Sequence, residues 1–432
     1  MSPPPNPPPP ARLPEKGRNP LRRPAFRWFF AGRVVSVMGG TMTPVALAFA
    51  VLQLTGRPED LSLVLTSAMV PMVALIILGG GVADRLRRDT LLRLTSLGSG
   101  LAQAAVALCV FTGRPIGYLM ALAFVNGALQ AFNGPAMSGI VPQLVDAESL
   151  QQANSLLATS RNAAAVLGPT LGGVLVATVG GGWAIAIDAA SFFVCAACLT
   201  RVSLPDRAAR PDGRLLHELR LGWTYFRSTS WIWSVTAAFT VINAVQMGVW
   251  QVLGPVIAKQ GIGPGPWGAV LSAKAVGLLL MSAVLIKLTV RRPLVTGLVW
   301  MSVAAAPLIL LGAGSDAWWL GVGAFVAGLG TGFMGVVWDT MRHQHIPPEM
   351  MSRATSYDDF GSFAAIPVGQ LAVIPLATLF GTTRVALVGG LLLLVVALLP
   401  ITLVSVRRLG VDAEPSDSPA PERAAVTGGS GG

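Results

Sequence analysis

The chain has 432 residues, of which 53% are hydrophobic and 12% are charged, and its formal net charge is +11. A soluble globular protein carries about 25% charged residues, so this composition excludes a water-soluble fold and predicts an all-α membrane protein. The positive charge does not predict a nucleic-acid partner. Most of the 31 Lys and Arg residues fall on one side of the predicted spans, as cytoplasmic loops do under the positive-inside rule.

Twelve spans are predicted between two tails. Residues 1–25 are rich in proline and arginine and predict a disordered cytoplasmic tail. Residues 26–203 and 231–406 predict two bundles of six spans each, joined by a cytoplasmic linker at 204–230 whose apolar residues recur at the spacing of an amphipathic helix. Residues 407–432 predict a second disordered tail, so that both termini are cytoplasmic. The predicted spans are 27–54, 61–83, 90–112, 115–136, 151–179, 183–203, 231–258, 264–288, 293–313, 316–341, 353–379 and 383–406.

An internal repeat supports the two bundles. The loop after span 4 and the loop after span 10 align at a fixed offset of 201 residues. Such a repeat indicates two pseudo-symmetric halves related by an axis along the membrane normal, with a binding site between them. The aligned pairs include Gln143 with Gln344, Glu148 with Glu349, Ala153 with Ala354 and Gly168 with Gly369.

The loop between spans 2 and 3 reads GGVADRLRRDTL from Gly80 to Leu91. Small residues permit close helix packing, an Asp accepts hydrogen bonds from a helix N-terminus, and Arg residues anchor the loop in the cytoplasm. The segment resembles the loop between helices 2 and 3 of major facilitator superfamily transporters, although the middle Gly of that pattern is lost. The resemblance implies an inner gate in which Asp84 latches the outward-open state. Its matching residues are Gly80, Asp84, Arg85, Arg87 and Arg88.

Span 5 contains the sequence GPTLGG, in which Gly168, Pro169, Gly172 and Gly173 predict a kink and close packing against the other half. This resembles the span 5 signature of major facilitator drug:proton antiporters. The order of the neighbouring segments is similar to that of the macrolide-efflux and siderophore-exporter group. The resemblance implies export. The Arg that many proton-coupled antiporters carry in span 4 is absent, since residues 124–127 read FVNG.

Three basic residues within spans are candidates for function, because a charge inside the bilayer is costly unless it is used. Arg33 in span 1 is expected either to pair with a carboxylate of the other half or to extend to the inner interface. Arg161 in span 5 is expected either to gate or to form a buried structural pair. Lys274 lies near mid-depth in span 8 and is the hardest of the three to explain as structure.

Four carboxylates within spans are the matching candidates for coupling or charge relay. Asp188 in span 6 is expected to serve mainly as a structural hydrogen-bond acceptor. Asp339 is expected to pair locally with Arg342. Asp358 and Asp359 are expected either to cap span 11 or to form a relay with the loop after span 2.

Polar and aromatic residues on three spans predict a substrate cavity. They recur at spacings of three to four residues, which places them on one face of a helix, and the alternative is that they form helix–helix hydrogen bonds. A mostly apolar cavity with a few amides suits amphiphilic organic compounds. The candidates are Asn126, Gln130 and Asn133 in span 4, Asn243, Gln246 and Trp250 in span 7, and Met334 and Trp338 in span 10.

The sequence therefore predicts a secondary transporter of the cell membrane that exports small amphiphilic molecules by alternating access, with protons as the coupling ion. The resemblance implies that it functions as a monomer. Import of a nutrient or siderophore by the same fold and a non-transporting membrane receptor are the alternatives. No catalytic, cofactor or metal-binding pattern is present, so an enzyme is not expected. Cys109, Cys195 and Cys198 are expected to be small packing residues.

Overall fold

The protein is represented by a computed structural model that describes residues 19–85, 87–202, 215–285, 288 and 290–409. Residues 1–18 and 410–432 of the two predicted tails lie outside them, whereas Pro20–Arg22 forms a 3-10 turn and α1 begins at Pro24, within the predicted first tail. Seventeen α-helices occur in this part of the chain, in which no strand is found. They are α1 Pro24–Thr55, α2 Pro58–Arg85, α3 Arg88–Phe111, α4 Ile116–Leu144, α5 Leu150–Thr178, α6 Gly181–Leu199, α7 Leu215–Ser228, α8 Ser230–Gln246, α9 Gly254–Gln260, α10 Pro264–Leu285, α11 Pro293–Ser302, α12 Ala306–Gly312, α13 Ala317–His345, α14 Pro348–Ala364, α15 Ile366–Phe380, α16 Thr382–Leu398 and α17 Val404–Arg408.

These helices confirm the predicted all-α fold of twelve spans in two bundles. Spans 1 to 6 are α1 to α6, which form the first half; spans 7 to 12 are α8 to α16, which form the second half. Eleven spans are long and apolar enough to cross a bilayer on composition alone. The twelfth is α5, which has a similar length but carries Arg161 and Asn162 and is more polar.

Three spans predicted as continuous helices are interrupted. Span 7 passes from α8 through the π-helical segment Met247–Leu253 into α9, span 9 breaks between α11 and α12, and span 11 breaks between α14 and α15. Each break directly precedes a proline in the first turn of the next helix, namely Pro255, Pro307 or Pro367. Proline lacks an N–H group and its ring crowds the preceding turn, so the regular hydrogen-bond ladder cannot pass through it.

Two helices run past their predicted ends. The structure extends α4 to Leu144 and α13 to His345, beyond the expected ends of spans 4 and 10. In α4 the added turns are apolar and pack in a core cluster that includes Ile140, Val141 and Phe26. Hydrophobic burial against α1 therefore stabilises turns that the span pattern alone did not include.

Glycines set the spacing of the spans within each half. A Cβ on Gly127 of α4 would lie 1.9 Å from the carbonyl oxygen of Ala68 in α2. In the second half, a Cβ on Gly328 of α13 would lie 2.0 Å from the carbonyl oxygen of Lys274 in α10. No side chain fits at either contact. Small residues let helices in a membrane approach until their backbones touch, which maximises dispersion contacts.

The linker helix α7 is attached to the second half. It packs against α14, with the Trp223 ring centroid 5.5 Å and the Phe226 centroid 6.2 Å from that of Tyr357. These aromatic contacts therefore fix the linker to the second half next to the start of span 7.

Both ends of the described chain lie at one end of the bundle, because twelve spans return the chain to the side on which it began. We call this the terminal end, and the opposite end the far end. The far end is formed by the short loops 56–57, 112–115, 179–180, 261–263, 313–316 and residue 381.

We expect Gly328→Ala to lower the free energy of unfolding by about 1–3 kcal/mol, because the added methyl group has no room against the α10 backbone. The matched control is Gly335→Ala in the same helix, since a Cβ on Gly335 meets nothing within 4 Å. Thermal unfolding of the purified chain in detergent measures both. Equal midpoints for the two variants would contradict the close α10–α13 contact.

Candidate functional site

The two halves meet most closely at the far end, where α5 and α10 contact each other through their backbones. A Cβ on Gly268 would lie 2.2 Å from the carbonyl oxygen of Pro169. A Cβ on Gly173 would lie 2.4 Å from the carbonyl oxygen of Pro264. Two residues of the predicted span 5 motif thus form an interface between the halves.

The other two motif glycines face the first half itself. A Cβ on Gly168 would lie 2.1 Å from the hydroxyl oxygen of Thr41, and one on Gly172 would lie 2.9 Å from the carbonyl oxygen of Met42. Helix α5 is therefore held between α1 and α10, with glycines on both contacting faces. A shift of α10 against α5 would open the far end without moving α5 away from α1.

Hydrogen bonds between the halves reinforce this closure. The three hydrogen-bonded residue pairs that follow join the halves toward the far end of the spans. The Thr170 hydroxyl and backbone N–H donate to Ser272 Oγ at 2.7 and 3.2 Å, Ser62 Oγ donates to the Gln370 carbonyl at 2.6 Å, and Lys259 Nζ donates to the Leu52 carbonyl at 2.6 Å.

Asp188 organises the polar core of the first half and is 1% exposed. Its Oδ2 atom accepts hydrogen bonds from Thr43 Oγ1 at 2.6 Å and from Gln103 Nε2 at 2.9 Å. Its Oδ1 atom lies 3.4 Å from Ser191 Oγ, and Gly39 of α1 leaves room for both side chains. The carboxylate joins α1, α3 and α6, which is the geometry of a structural acceptor.

Asp358 occupies the corresponding role in the second half, toward the terminal end. It is buried and accepts from Thr236 Oγ1 at 2.7 Å, from Trp338 Nε1 at 2.8 Å and from Arg342 at 3.1 Å. The guanidinium also lies over the Trp338 ring, 6.0 Å from its centroid. Asp358 therefore joins α8, α13 and α14 rather than reaching the first half.

Arg342 is shared by three carboxylates. Besides Asp358, its guanidinium contacts Asp339 one turn earlier in α13 and lies 3.8 Å from Asp359 of α14. Asp358 is buried, whereas about half of the Asp359 side chain is exposed. One cation faces three anions, so the cluster carries surplus negative charge when all three are ionised.

The role of Arg342 in linking three carboxylates was not predicted from the sequence. The indication that the sequence offers is its position three residues after Asp339, which brings the two side chains onto one helix face. Its approach to α14 depends on how α13 and α14 pack.

The three basic candidates of the spans have no such partners. Among the residues that the structure describes, Arg33, Arg161 and Lys274 make no side-chain hydrogen bond or ion pair. Arg161 is exposed, and Arg33 and Lys274 are half-buried. The expected pairing of Arg33 or Arg161 with a carboxylate is not found in this conformation.

The amide candidates fall into two groups. In span 4, Asn133 Nδ2 donates to Gln130 Oε1 at 3.1 Å, while the Oδ1 atoms of Asn126 and Asn133 are buried without a partner in the described part of the chain. In span 7, Asn243 Nδ2 donates to the Ser362 carbonyl at 3.0 Å. The Asn243 bond joins α8 to α14 and corresponds to the alternative interpretation, helix–helix hydrogen bonding, whereas the Asn133–Gln130 bond lies within α4.

The aromatic and sulfur candidates are buried in the core instead of forming an open surface. Trp250 is 5% exposed because the π-helical segment turns it onto Trp267, at a centroid distance of 4.8 Å. Trp338 packs between Trp231 and Phe239. Met334 is likewise buried, next to Gly297 of α11.

The loop after span 2 is only partly described. Gly80, Asp84 and Arg85 lie in the last turns of α2, and their side chains are outside the described residues. Arg87 precedes α3 and Arg88 begins it, with Arg87 Nε 3.4 Å from Asp89 Oδ1.

Asp89 is a further carboxylate of this loop that the sequence analysis did not select. It is buried and accepts from Arg93 at 3.2 Å. Arg93 Nε in turn donates to the Leu199 carbonyl at 2.8 Å, so the pair joins the start of α3 to the end of α6.

Comparison with known proteins agrees with this architecture. Residues 29–366 match the family described as Major Facilitator Superfamily. The chain is 26% identical over 420 residues to the multidrug efflux pump Tap of Mycolicibacterium fortuitum, covering 92% of this chain and all of the relative. It is 25% identical over 402 residues to the MFS-type transporter YfiS of Bacillus subtilis, covering 88% and 94%. It is 28% identical over 194 residues to the enterobactin exporter EntS of Citrobacter koseri, covering 44% and 46%.

Solved structures show the same fold at low sequence identity. A bacterial homolog of the human lysosomal transporter Spinster, in an inward-facing and unoccupied conformation, matches with a TM-score of 0.67 and 15% identity, covering 91% of this chain and 98% of that one. The nucleoside transporter NupG matches with a TM-score of 0.71 and 12% identity, covering 88% and 99%. These likenesses concern the arrangement of helices.

We expect Asp358→Asn to lower the free energy of unfolding by about 3 kcal/mol, because it leaves the buried Arg342 guanidinium without its closest enclosed counter-charge. Asp339→Asn is the matched control, since that carboxylate is largely exposed and its ion pair contributes at most about 1 kcal/mol. Thermal unfolding in detergent compares the two. A loss no larger for Asp358→Asn than for Asp339→Asn would show that Asp358 does not organise this cluster.

Proposed function

The chain belongs to the major facilitator superfamily, and from that premise we propose that it exports small amphiphilic organic molecules across the cell membrane by alternating access. The observation that carries the proposal is the α5–α10 contact. The span 5 motif that resembles drug:proton antiporters meets the second half directly, with Pro169 against Gly268. The full-length likeness to a multidrug efflux pump supports the same assignment.

In the proposed mechanism the far end faces the outside. The basic residues of the sequence concentrate in loops of the terminal end, and such loops stay in the cytoplasm. Closure at the far end then leaves the cleft between the halves accessible from the cytoplasm, which is the state that accepts a substrate for export. Both termini lie in the cytoplasm in this orientation, and one chain supplies both halves of the path.

Opening to the outside requires the halves to rock about this cleft. The α5–α10 backbone contact and the Thr170–Ser272 hydrogen bond separate, while contacts form at the terminal end. The loop after span 2, with Asp84, is the proposed latch of that second state. Glycines suit the contact because a flat backbone surface separates and reforms without moving side chains.

Protons are the proposed coupling ion, with Asp359 as the site. Three carboxylates share the single Arg342 guanidinium, and like charges in proximity favour protonation of one of them. Asp358 accepts hydrogen bonds from three donors, whereas the Asp359 carboxylate lies 3.8 Å from the Arg342 guanidinium and is partly exposed. Proton binding at Asp359 would loosen the cluster and bias the packing of α14.

Accumulation of a panel of toxic amphiphiles in an efflux-deficient bacterium tests the function. We expect cells with the wild-type chain to accumulate less of at least one compound than cells with an empty vector, and a protonophore to abolish the difference. Higher accumulation with the wild-type chain would show import and contradict the proposal. Binding without flux in proteoliposomes would show a receptor.

The coupling site is tested by Asp359→Asn in the same assay and in proteoliposomes. We expect this variant to lose efflux driven by a pH gradient while retaining exchange of substrate across the membrane without a gradient, because only the proton step is removed. Asp339→Asn is the matched control, as it removes an exposed carboxylate from the same Arg342 cluster and should retain both activities. Gradient-driven efflux by Asp359→Asn equal to wild type would exclude Asp359 as the coupling site.

A further inference from the structure

Charge within the spans is not balanced between carboxylates and cations. The four carboxylates of the predicted set are all engaged: Asp188 by neutral donors, and Asp339, Asp358 and Asp359 by Arg342. Arg33, Arg161 and Lys274 have no partner among the described residues. An uncompensated charge at membrane depth is costly, so three of them in one protein call for a water-filled cavity and a negatively charged occupant.

The depth of Lys274 follows from its neighbours. Ser272 of α10 is hydrogen-bonded to Thr170 of α5, and the two helices run in opposite directions. Lys274 is two residues nearer the terminal end than Ser272, so it lies level with Gly168. Since an α-helix rises about 1.5 Å per residue, Arg161 lies about 10 Å further toward the terminal end.

Arg33 and Arg161 form a second level of positive charge. They occur on adjacent helices, α1 and α5, which run in the same direction and contact each other. Arg33 lines a small pocket of the first half with Ser96, Asn133 and Cys195. Gly40 and Pro44 lie on the same side of α1 and are exposed. The three cations thus occur at two depths below the far-end closure.

Lys274 points toward the interior and not toward lipid. It follows Trp267 by seven residues and therefore shares its helix face. Trp267 is buried against Trp250 of span 7. The lipid-facing side of α10 carries Ala269 and Ala273, which line an apolar groove with Trp318 and Phe325 of α13.

A buried hydrogen-bond donor lies between these elements. Gln246 is only 7% exposed, and its Nε2 atom has no partner in the described structure. It precedes Trp250 by one turn, and so lies on the terminal side of the Trp250–Trp267 pair, as Lys274 does. The Gln246 donor and the Lys274 ammonium are thus both without a partner on the same side of this pair, and a ligand oxygen would satisfy either group.

We propose that the transported molecule is an amphiphile with an anionic oxygen group, of which a carboxylate is the simplest form. Lys274 and Gln246 bind the anion below the far-end closure, and Arg161 and Arg33 attract it from the terminal end. This inference rests on the proposed export function and specifies its substrate class.

The charge of the cavity is measured without knowing the substrate. Gly40→Cys places a thiol on the Arg33 face, where a Cβ meets nothing within 4 Å, in a chain whose three native cysteines are replaced by alanine. The probes are two methanethiosulfonates, one with an anionic sulfonate and one with a cationic trimethylammonium. Ala313→Cys lies in an exposed far-end loop. It provides the reference ratio of the two reagents' reaction rates with a cysteine outside the cavity.

We expect the anion-to-cation rate ratio at Gly40→Cys to exceed that at Ala313→Cys by about tenfold, because a cleft lined by one sign of charge concentrates the opposite ion by 10-fold or more. Adding Lys274→Gln should lower the ratio severalfold, and Lys274→Arg should preserve it. Arg384→Gln, which removes an exposed cation outside the cleft, should leave it unchanged. Equal ratios at the two cysteines, or a ratio insensitive to Lys274→Gln, would overturn the proposal.

Transport of compounds that are matched in their apolar group and differ in charge completes the test. Pyrenebutyrate, its amide and pyrenebutylamine share one apolar group and differ in charge. We expect efflux of the acid in preference to the other two, and loss of that preference in Lys274→Gln. Efflux of the amine or amide but not of the acid would overturn the anionic class while leaving export intact. Efflux of none of the three would count against the proposed function, and the cysteine rates would still decide the charge of the cavity.

Discussion

The backbone contact between α5 and α10 is the constraint on which the rest of the structure depends. With Pro169 against Gly268 and Gly173 against Pro264, no side chain separates the two halves at the far end. This contact fixes the register of α10, and with it the depth of Lys274. It also closes the cleft at the far end, where the Thr170–Ser272, Ser62–Gln370 and Lys259–Leu52 hydrogen bonds join the halves.

The polar groups of the spans separate into structural, coupling and substrate roles in our account. Asp188 has neutral donors on three helices and lies inside the first half, so its bonds stabilise that bundle. The Arg342 cluster lies in the second half and holds surplus negative charge, which suits a proton site. Arg161 and Lys274 remain for the cleft, one on each half. A substrate anion between them would draw the halves together, and proton binding at a separate cluster would then reset the packing.

The sequence predicts the fold well because long apolar segments and the repeat of two halves are properties of the chain alone. It also predicts the close packing of α5, since glycines in a membrane helix let a neighbouring backbone approach closely. It does not predict the partner of Asp358, because that depends on the rotation of α13 against α14. Nor does it predict that the π-helical segment turns Trp250 into the core, since one extra residue in a turn leaves no clear pattern in composition.

The most direct test of alternating access is a pair of distance measurements by double electron–electron resonance in lipid. One pair of spin labels spans the far end, at Thr112 and Ala313; the other spans the terminal end, at Gln152 and Thr340; all four residues are exposed. We predict that a change of pH lengthens the distance between the two far-end labels and shortens the distance between the two terminal-end labels in the same sample. Distances that stay fixed, or that lengthen together at both ends, would contradict it.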